Sequence, residues 1–456
     1  MPDLSAVFTH IDTHETQFID RLLDYLKMPS ISAQNIGVEE VAKYLQTMLT
    51  KLGFEAELAP TAGHPVVLGK RHVRDDALTV MLYGHYDVQP PDPLELWDSP
   101  PFDPTIRNGR VYARGAGDNK GQHFAQLLAL ESLLAINKEL PCNVIMVLEG
   151  EEEVGSPHLA DFVREHKDNL KADLVITCDG PVHDSGRPAI KLGARGVMSF
   201  DLRAKGAKRD LHSGNFGGVA PNPIWTLTHL LASMKNAQGQ ITIDGFYDDV
   251  LAPTALEQEA LANLPLDLDA VKQNLELDHL DAPVERGYYE RLMFYPTLTI
   301  NGIHGGYTDE GSKTVLPCKA LAKCDIRLVE AMQVDDVFQK LADHVAKHAP
   351  DVEIIRRGAM EPSKTPLESP YTQVISDAIE AAQGETPLLI PSAGGSLPNY
   401  AFTQILGIPA FVVPYANPDE ANHAPNENLE LSRFIKGIKT GAAMLGHLAD
   451  SSTATT

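Results

Sequence analysis

Cysteine and positive charge are both scarce in this chain. Its 456 residues include four cysteines, too few and too scattered for the disulfide framework on which small secreted domains depend. Lysine and arginine total 38 against 62 aspartates and glutamates, so the formal net charge is -24. Because nucleic acids and anionic membrane surfaces bind to a positive face, neither is expected as a partner.

The start of the chain lacks the pattern of an export signal or a membrane span. Within residues 1–31, Phe18, Leu22, Leu23 and Leu26 recur at helical spacing among charged residues. That pattern predicts an amphipathic helix, whereas a signal peptide or a transmembrane helix needs a continuous apolar segment. Since isolated cysteines in apolar runs suit a reduced, buried state, we expect a cytoplasmic protein.

The first half of the chain alternates strand-like and helix-like segments. Residues 77–83, 142–148 and 173–178 are short, almost continuously apolar runs, as expected for parallel strands buried on both faces. Between the first two runs, residues 124–134 place apolar side chains every three or four positions, which predicts a helix. This alternation predicts an α/β fold with a mostly parallel sheet flanked by helices.

The pattern changes after Gly196. Residues 197–204, 296–301 and 320–328 alternate apolar and polar side chains, as half-exposed strands of an α+β unit do. Residues 411–414 then return to the buried-strand pattern, so the middle unit is expected to be an insertion. The predicted boundaries are 1–195 and 361–456 for the two parts of the first domain and 196–360 for the inserted domain.

Several possible metal ligands follow the predicted buried strands. In open α/β sheets ligands bind beyond the carboxyl ends of the strands. His85, Glu153 and Asp179 fall there, and Asp118 and His423 lie in turns. Two imidazoles and three carboxylates suit two divalent ions. We expect zinc, with manganese or cobalt as alternatives, and a hydroxide that bridges the ions as the nucleophile.

Two further acidic residues in these segments are assigned other roles. If Glu153 binds metal, the adjacent Glu152 is free to take a proton from the attacking water and return it to the leaving amine. Asp87 lies two residues after His85, where its carboxylate can hold the imidazole ring in place, as metal-bound histidines require.

Three motifs resemble those of the M20 family of metallopeptidases. They are HYDVQP at residues 85–90, GDNKG at 117–121 and EEVGS at 152–156. The resemblance implies that Asp118 is the bridging ligand, with a cis peptide bond after it, and that Glu152 is the general base. It also implies that the remaining metal ligands are His85, Glu153, Asp179 and His423. An aspartate at position 179 resembles the dipeptidase branch, which includes cytosolic non-specific dipeptidases and carnosinases.

The middle unit resembles the family's lid and dimerisation domain. The resemblance implies that His212 reaches the active site of the partner subunit in a homodimer. It also implies that Arg327 binds the carboxylate end of a small peptide substrate and that Gly395 and Ser396 form a substrate-contacting turn. One departure concerns residues 392–393, which are serine and alanine where the dipeptidase pattern carries a charged pair.

Other functions fit the same residues less well. An amidohydrolase acting on N-acyl amino acids has the same metal chemistry, so it stays open as the alternative to a dipeptidase. A two-metal phosphoesterase normally combines an Asp-x-His opening with a Gly-Asn-His block, and this chain has no Gly-Asn-His sequence. A phosphate-binding loop at residues 115–117 lacks the lysine and hydroxyl spacing of such loops. An inactive binding protein would not need to keep Glu152.

Overall fold

The computed structural model describes residues 3–280 and 287–453. Its helices are α1 Leu4–Thr13, α2 Glu15–Leu26, α3 Val38–Lys51, α4 Lys120–Asn137, α5 Leu159–Glu165, α6 Ser213–Phe216, α7 Pro223–Met234, α8 Ala255–Ala262, α9 Leu268–Asn274, α10 Tyr288–Phe294, α11 Val334–His348, α12 Pro370–Gln383 and α13 Leu431–Thr453. Its strands are β1 Glu55–Ala59, β2 Val66–Arg71, β3 Thr79–His85, β4 Thr105–Arg107, β5 Arg110–Tyr112, β6 Asn143–Glu149, β7 Leu174–Thr177, β8 Ala189–Lys191, β9 Gly193–Ala194, β10 Gly196–Lys205, β11 Leu211–His212, β12 Thr297–Gly305, β13 Val315–Leu316, β14 Lys319–Leu328, β15 Glu353–Met360, β16 Ser363–Lys364, β17 Leu388–Ile390, β18 Ala410–Val412 and β19 Asn428–Glu430.

The larger sheet has eight strands in the order β1-β2-β6-β3-β7-β18-β8-β17. Its centre, β6-β3-β7-β18, is parallel throughout. Strand β3 is buried on both faces: Val80 and Leu82 join one apolar cluster with α4 and α13, whereas Met81 and Tyr83 join another with α5. Burial on both faces explains why these strands are continuously apolar in sequence.

The smaller sheet has four antiparallel strands in the order β12-β14-β10-β15. Side chains from β10 and β14 alternate between a buried and an exposed face, and the buried face packs on α7 and α11. The chain then returns to the larger sheet in β17 and β18. The predicted fold class, an α/β domain with an inserted α+β unit, is therefore confirmed.

The described residues between α8 and α10 do not join the core of the smaller sheet. Leu264, Met293 and Phe294 pack instead with Leu388 and Ile390 at the β17 edge of the larger sheet. The domain boundaries at 195/196 and 360/361 stay a prediction, because this middle segment contacts the first domain closely. In the described ranges, no helix combines the length and apolarity needed to cross a membrane.

Candidate active site

The side chains singled out as metal ligands lie along one edge of the larger sheet. His85 is the last residue of β3, and Asp179 lies just beyond β7. Glu153 lies in a short 3₁₀ turn, Glu152–Val154, that follows β6. Asp118 lies just before α4. Because β3 pairs in parallel with both β6 and β7, the carboxyl ends of the three strands meet there.

His85, Asp118 and Asp179 form one group of possible ligands. His85 Nε2 lies 3.0 Å from Asp118 Oδ1 and 3.8 Å from Asp179 Oδ2. All three side chains are buried. Two donors that each bind one zinc ion at about 2.0–2.2 Å in tetrahedral geometry lie roughly 3.3 Å apart, so these distances suit a shared cation.

Asp118, Glu153 and His423 form a second group. His423 Nε2 lies 3.1 Å from Asp118 Oδ2 and 3.1 Å from Glu153 Oε2. Asp118 therefore belongs to both groups, and each of its carboxylate oxygens faces a different histidine. This is the arrangement that a carboxylate shared between two cations requires.

The crowding of negative charge in this cluster also fits two cations. Burial, reinforced by Asp118, raises the pKa of Glu153 to about 7 and that of Asp179 to about 6. Hydrogen bonds to Asp118 and Glu153 raise the pKa of His423 to about 10. Buried carboxylates resist ionising side by side unless positive charge compensates them. The donor set and its charge therefore fit a pair of divalent metal ions.

Asp87 orients both the His85 ring and the acidic turn. Its Oδ1 accepts the backbone N–H of Glu152 at 3.2 Å, and its Oδ2 accepts that of Glu153 at 3.1 Å. On the other side, His85 Nδ1 lies 3.4 Å from Asp87 Oδ1 and 3.1 Å from the Asp87 carbonyl oxygen. One buried carboxylate thus links the end of β3 to the turn after β6.

Glu152 belongs to neither ligand group in the part of the chain that the structure describes. Burial raises the pKa of the Glu152 carboxyl well above its usual value. The charge of His85 lowers this pKa, and the charge of Asp179 raises it further. A carboxyl group with a raised pKa, next to possible ligands but outside their groups, is suited to accept and return a proton.

The three residues singled out for substrate binding lie together. Arg327, on β14, donates from Nη1 to Ser396 Oγ at 2.7 Å. Gly395 precedes Ser396 in the same turn and is exposed. The turn follows β17 of the larger sheet and Arg327 lies on β14 of the smaller sheet, so the contact connects the two sheets.

His212 is not brought to the ligand cluster within its own chain. It ends the short strand β11, is exposed, and accepts the backbone N–H of Gly214 on Nδ1 at 2.9 Å. Among residues 3–280 and 287–453, no hydrogen bond or ion pair joins His212 to a side chain of either ligand group.

With this geometry in place, the comparisons with known proteins agree on one family. The model of peptidase family M20/M25/M40 matches residues 81–447. The Cys-Gly metallodipeptidase dug1 of Schizosaccharomyces pombe is 31% identical over 98% of this chain and 99% of its own length. The chain belongs to the M20 peptidase family. It is accordingly an enzyme, a metal-dependent peptide hydrolase.

Other M20 proteins are similar over almost their whole length. The human Beta-Ala-His dipeptidase is 29% identical over 98% of this chain and 93% of its own. Among solved structures, the M20 family metallo-carboxypeptidase Sso-CP2 from Sulfolobus solfataricus matches with a TM-score of 0.90 and 36% identity, over 95% of this chain and 99% of that one. Human carnosine dipeptidase 1 matches with a TM-score of 0.81 and 28% identity, over 99% and 100%.

The cis peptide bond that the M20 resemblance implied is confirmed, because the Asp118–Asn119 bond is cis. The Asn119 side chain accepts the backbone N–H of His85 at 3.4 Å and donates to the Cys178 carbonyl oxygen. Asn119 therefore links the segments that carry the metal-ligand candidates His85, Asp118 and Asp179 of this M20 enzyme.

Sequence analysis missed Glu427, which is fully buried beneath the Asp118 loop. Its Oε1 accepts the backbone N–H groups of Gly117 and Asp118, each at 3.0 Å. Its Oε2 accepts the N–H of Gly115 at 3.1 Å and Arg114 Nη1 at 2.7 Å. Nothing in the sequence singles Glu427 out, because a glutamate in a polar loop is usually solvated.

Gln122 is a second residue that the sequence did not reveal. It donates to the carbonyl oxygens of Gly117 at 2.9 Å and Gly180 at 3.1 Å, and it accepts the Tyr415 N–H at 2.7 Å. One α4 side chain thus joins three loops that border the M20 site.

Proposed function

We propose that this chain is a two-metal dipeptidase that cleaves the amide bond of dipeptides or short peptides. The single observation that carries the proposal is the position of Asp118 between His85 and His423, with one oxygen toward each. The names of two full-length relatives, a Cys-Gly metallodipeptidase and a Beta-Ala-His dipeptidase, support the choice of small peptides as substrates.

The ligands assigned to the two ions are His85, Asp118, Glu153, Asp179 and His423, with Asp118 shared. Zinc is the proposed ion, because mixed imidazole and carboxylate sites suit it, and manganese and cobalt are the alternatives. When bound, the ions would lower the pKa of a water molecule to about 7 and polarise the scissile carbonyl group.

Glu152 is proposed to move the protons of the reaction. It lies beside Glu153 in the turn that Asp87 holds through two backbone N–H groups, so its backbone has a fixed position next to that of a proposed ligand. It would accept the proton of the attacking water and transfer it to the nitrogen of the leaving amine. Asp87 would hold the His85 ring and this turn in fixed positions relative to one another during these steps.

Arg327, Gly395 and Ser396 are proposed to hold the carboxylate end of the substrate. The hydrogen bond from Arg327 to Ser396 supports this grouping, since a guanidinium group recognises a carboxylate through charge and paired donors.

The amino end of the substrate distinguishes the dipeptidase from the alternative amidohydrolase. Ser392 is buried and Ala393 is half-buried, and neither carries the charge with which a free ammonium group would pair. That observation favours an N-acyl-amino-acid substrate as the second candidate. The test compares kcat/KM for a free dipeptide and its N-acetylated form on the zinc enzyme: preference for the free form supports the dipeptidase, and the reverse preference supports the amidohydrolase.

We also propose a homodimer in which His212 completes the partner's active site. The proposal is supported by an exposed edge: β12 is the outer strand of the smaller sheet, and Ile300 and Ile303 on it are exposed. Trp225 on the adjacent helix α7 is 61% exposed. An exposed edge strand can pair with another chain, and exposed apolar patches mark interaction sites. His212 would donate a hydrogen bond to the oxyanion of the tetrahedral intermediate.

The proposed cellular location is the cytoplasm. All four cysteines, Cys142, Cys178, Cys318 and Cys324, are free in the structure. Unpaired cysteines are usual in reducing compartments.

A further inference from the structure

A chain of buried hydrogen bonds runs from helix α2 to the segment that carries the metal-ligand candidates. The hydroxyl group of Tyr25, on α2, lies 2.9 Å from Nε2 of His123, on α4. On the other side of the ring, His123 Nδ1 lies 3.3 Å from Asn119 Oδ1. All three side chains belong to fully buried residues, so their polar groups pair with one another and not with solvent.

The contacts of Asn119 determine which way its amide group is turned. The oxygen accepts the backbone N–H of His85 at 3.4 Å, and the nitrogen donates to the carbonyl oxygen of Cys178. Exchanging the oxygen and the nitrogen would bring two donors together at His85 and two acceptors together at Cys178. The oxygen therefore also faces His123, where only a donor can pair with it.

This orientation determines the tautomer of His123. Burial lowers the pKa of the ring well below its usual value, so the ring is neutral and carries a single N–H proton. That proton lies on Nδ1, because Asn119 Oδ1 needs a donor there. Nε2 is then an acceptor, and the Tyr25 hydroxyl group donates to it. Every contact from α2 to Asn119 thus joins one donor to one acceptor.

Through Asn119 the chain of hydrogen bonds reaches every member of one ligand group. Asn119 directly follows Asp118 in sequence, and its oxygen binds the backbone of His85. Its nitrogen binds the carbonyl oxygen of Cys178, the residue before Asp179. In the part of the chain that the structure describes, the Asn119 side chain makes no hydrogen bond to the other two ligand candidates. The support therefore concerns one proposed ion more than the other.

We propose that His123 is a positioning residue for the ion held by His85, Asp118 and Asp179. Its Nδ1 proton keeps the Asn119 amide group in the one orientation that supports the backbone of β3 and the backbone after β7 at once. Without this donor, the group that binds one ion loses part of its support, whereas Glu153 and His423 keep theirs. The inference rests on the proposed two-metal function and extends it, because it gives the two ions different supports in the fold.

Two amide substitutions at position 123 separate hydrogen bonding from packing. In His123→Asn, the side-chain nitrogen can take the place of Nδ1 and donate to Asn119. In His123→Gln, the longer side chain carries its amide group to the place of Nε2, which faces Tyr25, and no donor remains for Asn119. If position 123 only fills space, the glutamine should be tolerated better, because it is closer to histidine in size.

The readout is zinc binding to the metal-free protein at constant pH, measured by competition with a chromophoric chelator. The wild type should bind two equivalents. His123→Gln should bind one equivalent about ten-fold more weakly, the lower end of the range for groups that orient metal ligands, and the other with a smaller change. His123→Asn should match the wild type. Combined with Glu153→Gln, which removes a ligand of the second group, His123→Gln should weaken both equivalents.

His344 offers a matched control, because it is also a buried histidine whose Nε2 lies 2.9 Å from a hydroxyl group, that of Ser233. His344→Gln should leave zinc binding unchanged. Circular dichroism checks that each variant is folded. Tyr25→Phe removes only the donor to Nε2 and lets the proton move there, so it should weaken the same equivalent by less, and it serves if His123→Gln does not fold.

Wild-type zinc binding in His123→Gln, or a loss in His123→Asn as large as that in His123→Gln, would overturn the inference. So would a double variant with Glu153→Gln that keeps one equivalent at full affinity, because both changes would then act on the same ion. A wild type that binds fewer than two equivalents would instead reject the two-metal function on which the inference rests.

Discussion

At the scale of single residues, the adjacent glutamates of the turn after β6 are assigned different roles. Glu153 Oε2 lies 3.1 Å from His423 Nε2 in a ligand group, and Glu152 lies outside both groups. The main chain of both residues is held by the same carboxylate, that of Asp87. A difference between their variants therefore reports on the side chains and not on the position of the turn.

We predict that Glu152→Gln keeps its metal but loses turnover by about 10²–10⁴-fold, the contribution typical of a general acid-base group. Glu153→Gln should lose metal affinity as well, because it removes a charged ligand. Metal analysis after gel filtration and kcat on one dipeptide measure the two effects, with Glu151→Gln as the neighbouring control. The opposite pattern, metal lost in Glu152→Gln and kept in Glu153→Gln, would exchange the two roles.

The protonation of the same cluster makes metal affinity depend on pH. In the metal-free protein the pKa values are about 7 for Glu153, about 6 for Asp179 and about 10 for His423. Metal binds the deprotonated forms. Because these pKa values are raised, protons compete with metal as the pH falls, and binding near pH 7 should release protons.

We therefore predict that the apparent zinc affinity of the metal-free protein rises steadily between pH 6 and pH 8. Competition with a chromophoric chelator, corrected for the chelator's own protonation, measures it. An affinity that is constant or falls over this range would contradict the prediction, since protons would then not compete with metal at these side chains.

At the scale of structural elements, Glu427 fixes the loop that presents Asp118. Three backbone N–H groups of the loop and the side chain of Arg114 donate hydrogen bonds to this one buried carboxylate. Glu427 directly precedes β19, and β19 pairs with β5, so the anchor is part of a small sheet and is not free to move with the loop.

We predict that Glu427→Gln lowers the free energy of unfolding by about 3–5 kcal/mol, the cost of breaking a buried ion pair. The amide nitrogen of the new glutamine would also face backbone N–H groups, which need a hydrogen-bond acceptor and not a second donor. Chemical denaturation of the metal-free protein measures the change. Glu430→Gln is the control, since Glu430 pairs with Arg110 and Arg433 nearer the surface. A loss for Glu427→Gln no larger than that of the control would contradict this anchoring role.

The elements that sequence analysis predicted are those whose signals are local. The buried strands β3, β6 and β7 are continuous apolar runs, so both the strands and the residues that follow them could be located. Glu427 could not be located from the sequence, because the residue it contacts, Asp118, lies 309 positions away in the chain. The packing of α8 and α10 on β17 was missed for a similar reason: helical periodicity shows that a helix buries one face, but not which sheet covers it.

At the scale of the whole molecule, the proposed homodimer links catalysis to assembly. His212 is exposed and lies in β11, within the segment predicted to be the inserted domain, whereas the ligand groups lie at the edge of the larger sheet. Sequence resemblance supplied this role, and no local pattern could have done so, because contacts between subunits leave no periodic signal in one chain.

We predict that His212→Ala and Glu152→Ala are each nearly inactive but complement one another when mixed. A mixed dimer would hold one site with both residues intact. Random reassociation of equal amounts makes about half the dimers mixed, each with one complete site of two, so about a quarter of wild-type activity should return. Activity is measured after subunit exchange has been verified by mass. No recovery would reject the shared site.

The central claim, hydrolysis by a pair of metal ions that share Asp118, is tested most directly by reconstitution. The protein is stripped of metal with a strong chelator, and zinc is added back in known amounts while dipeptide hydrolysis is followed. The stripped protein should be inactive, and activity should rise until two equivalents per chain have been added, because each ligand group holds one ion. Full activity in protein verified to be metal-free, or a maximum at one equivalent, would contradict the account.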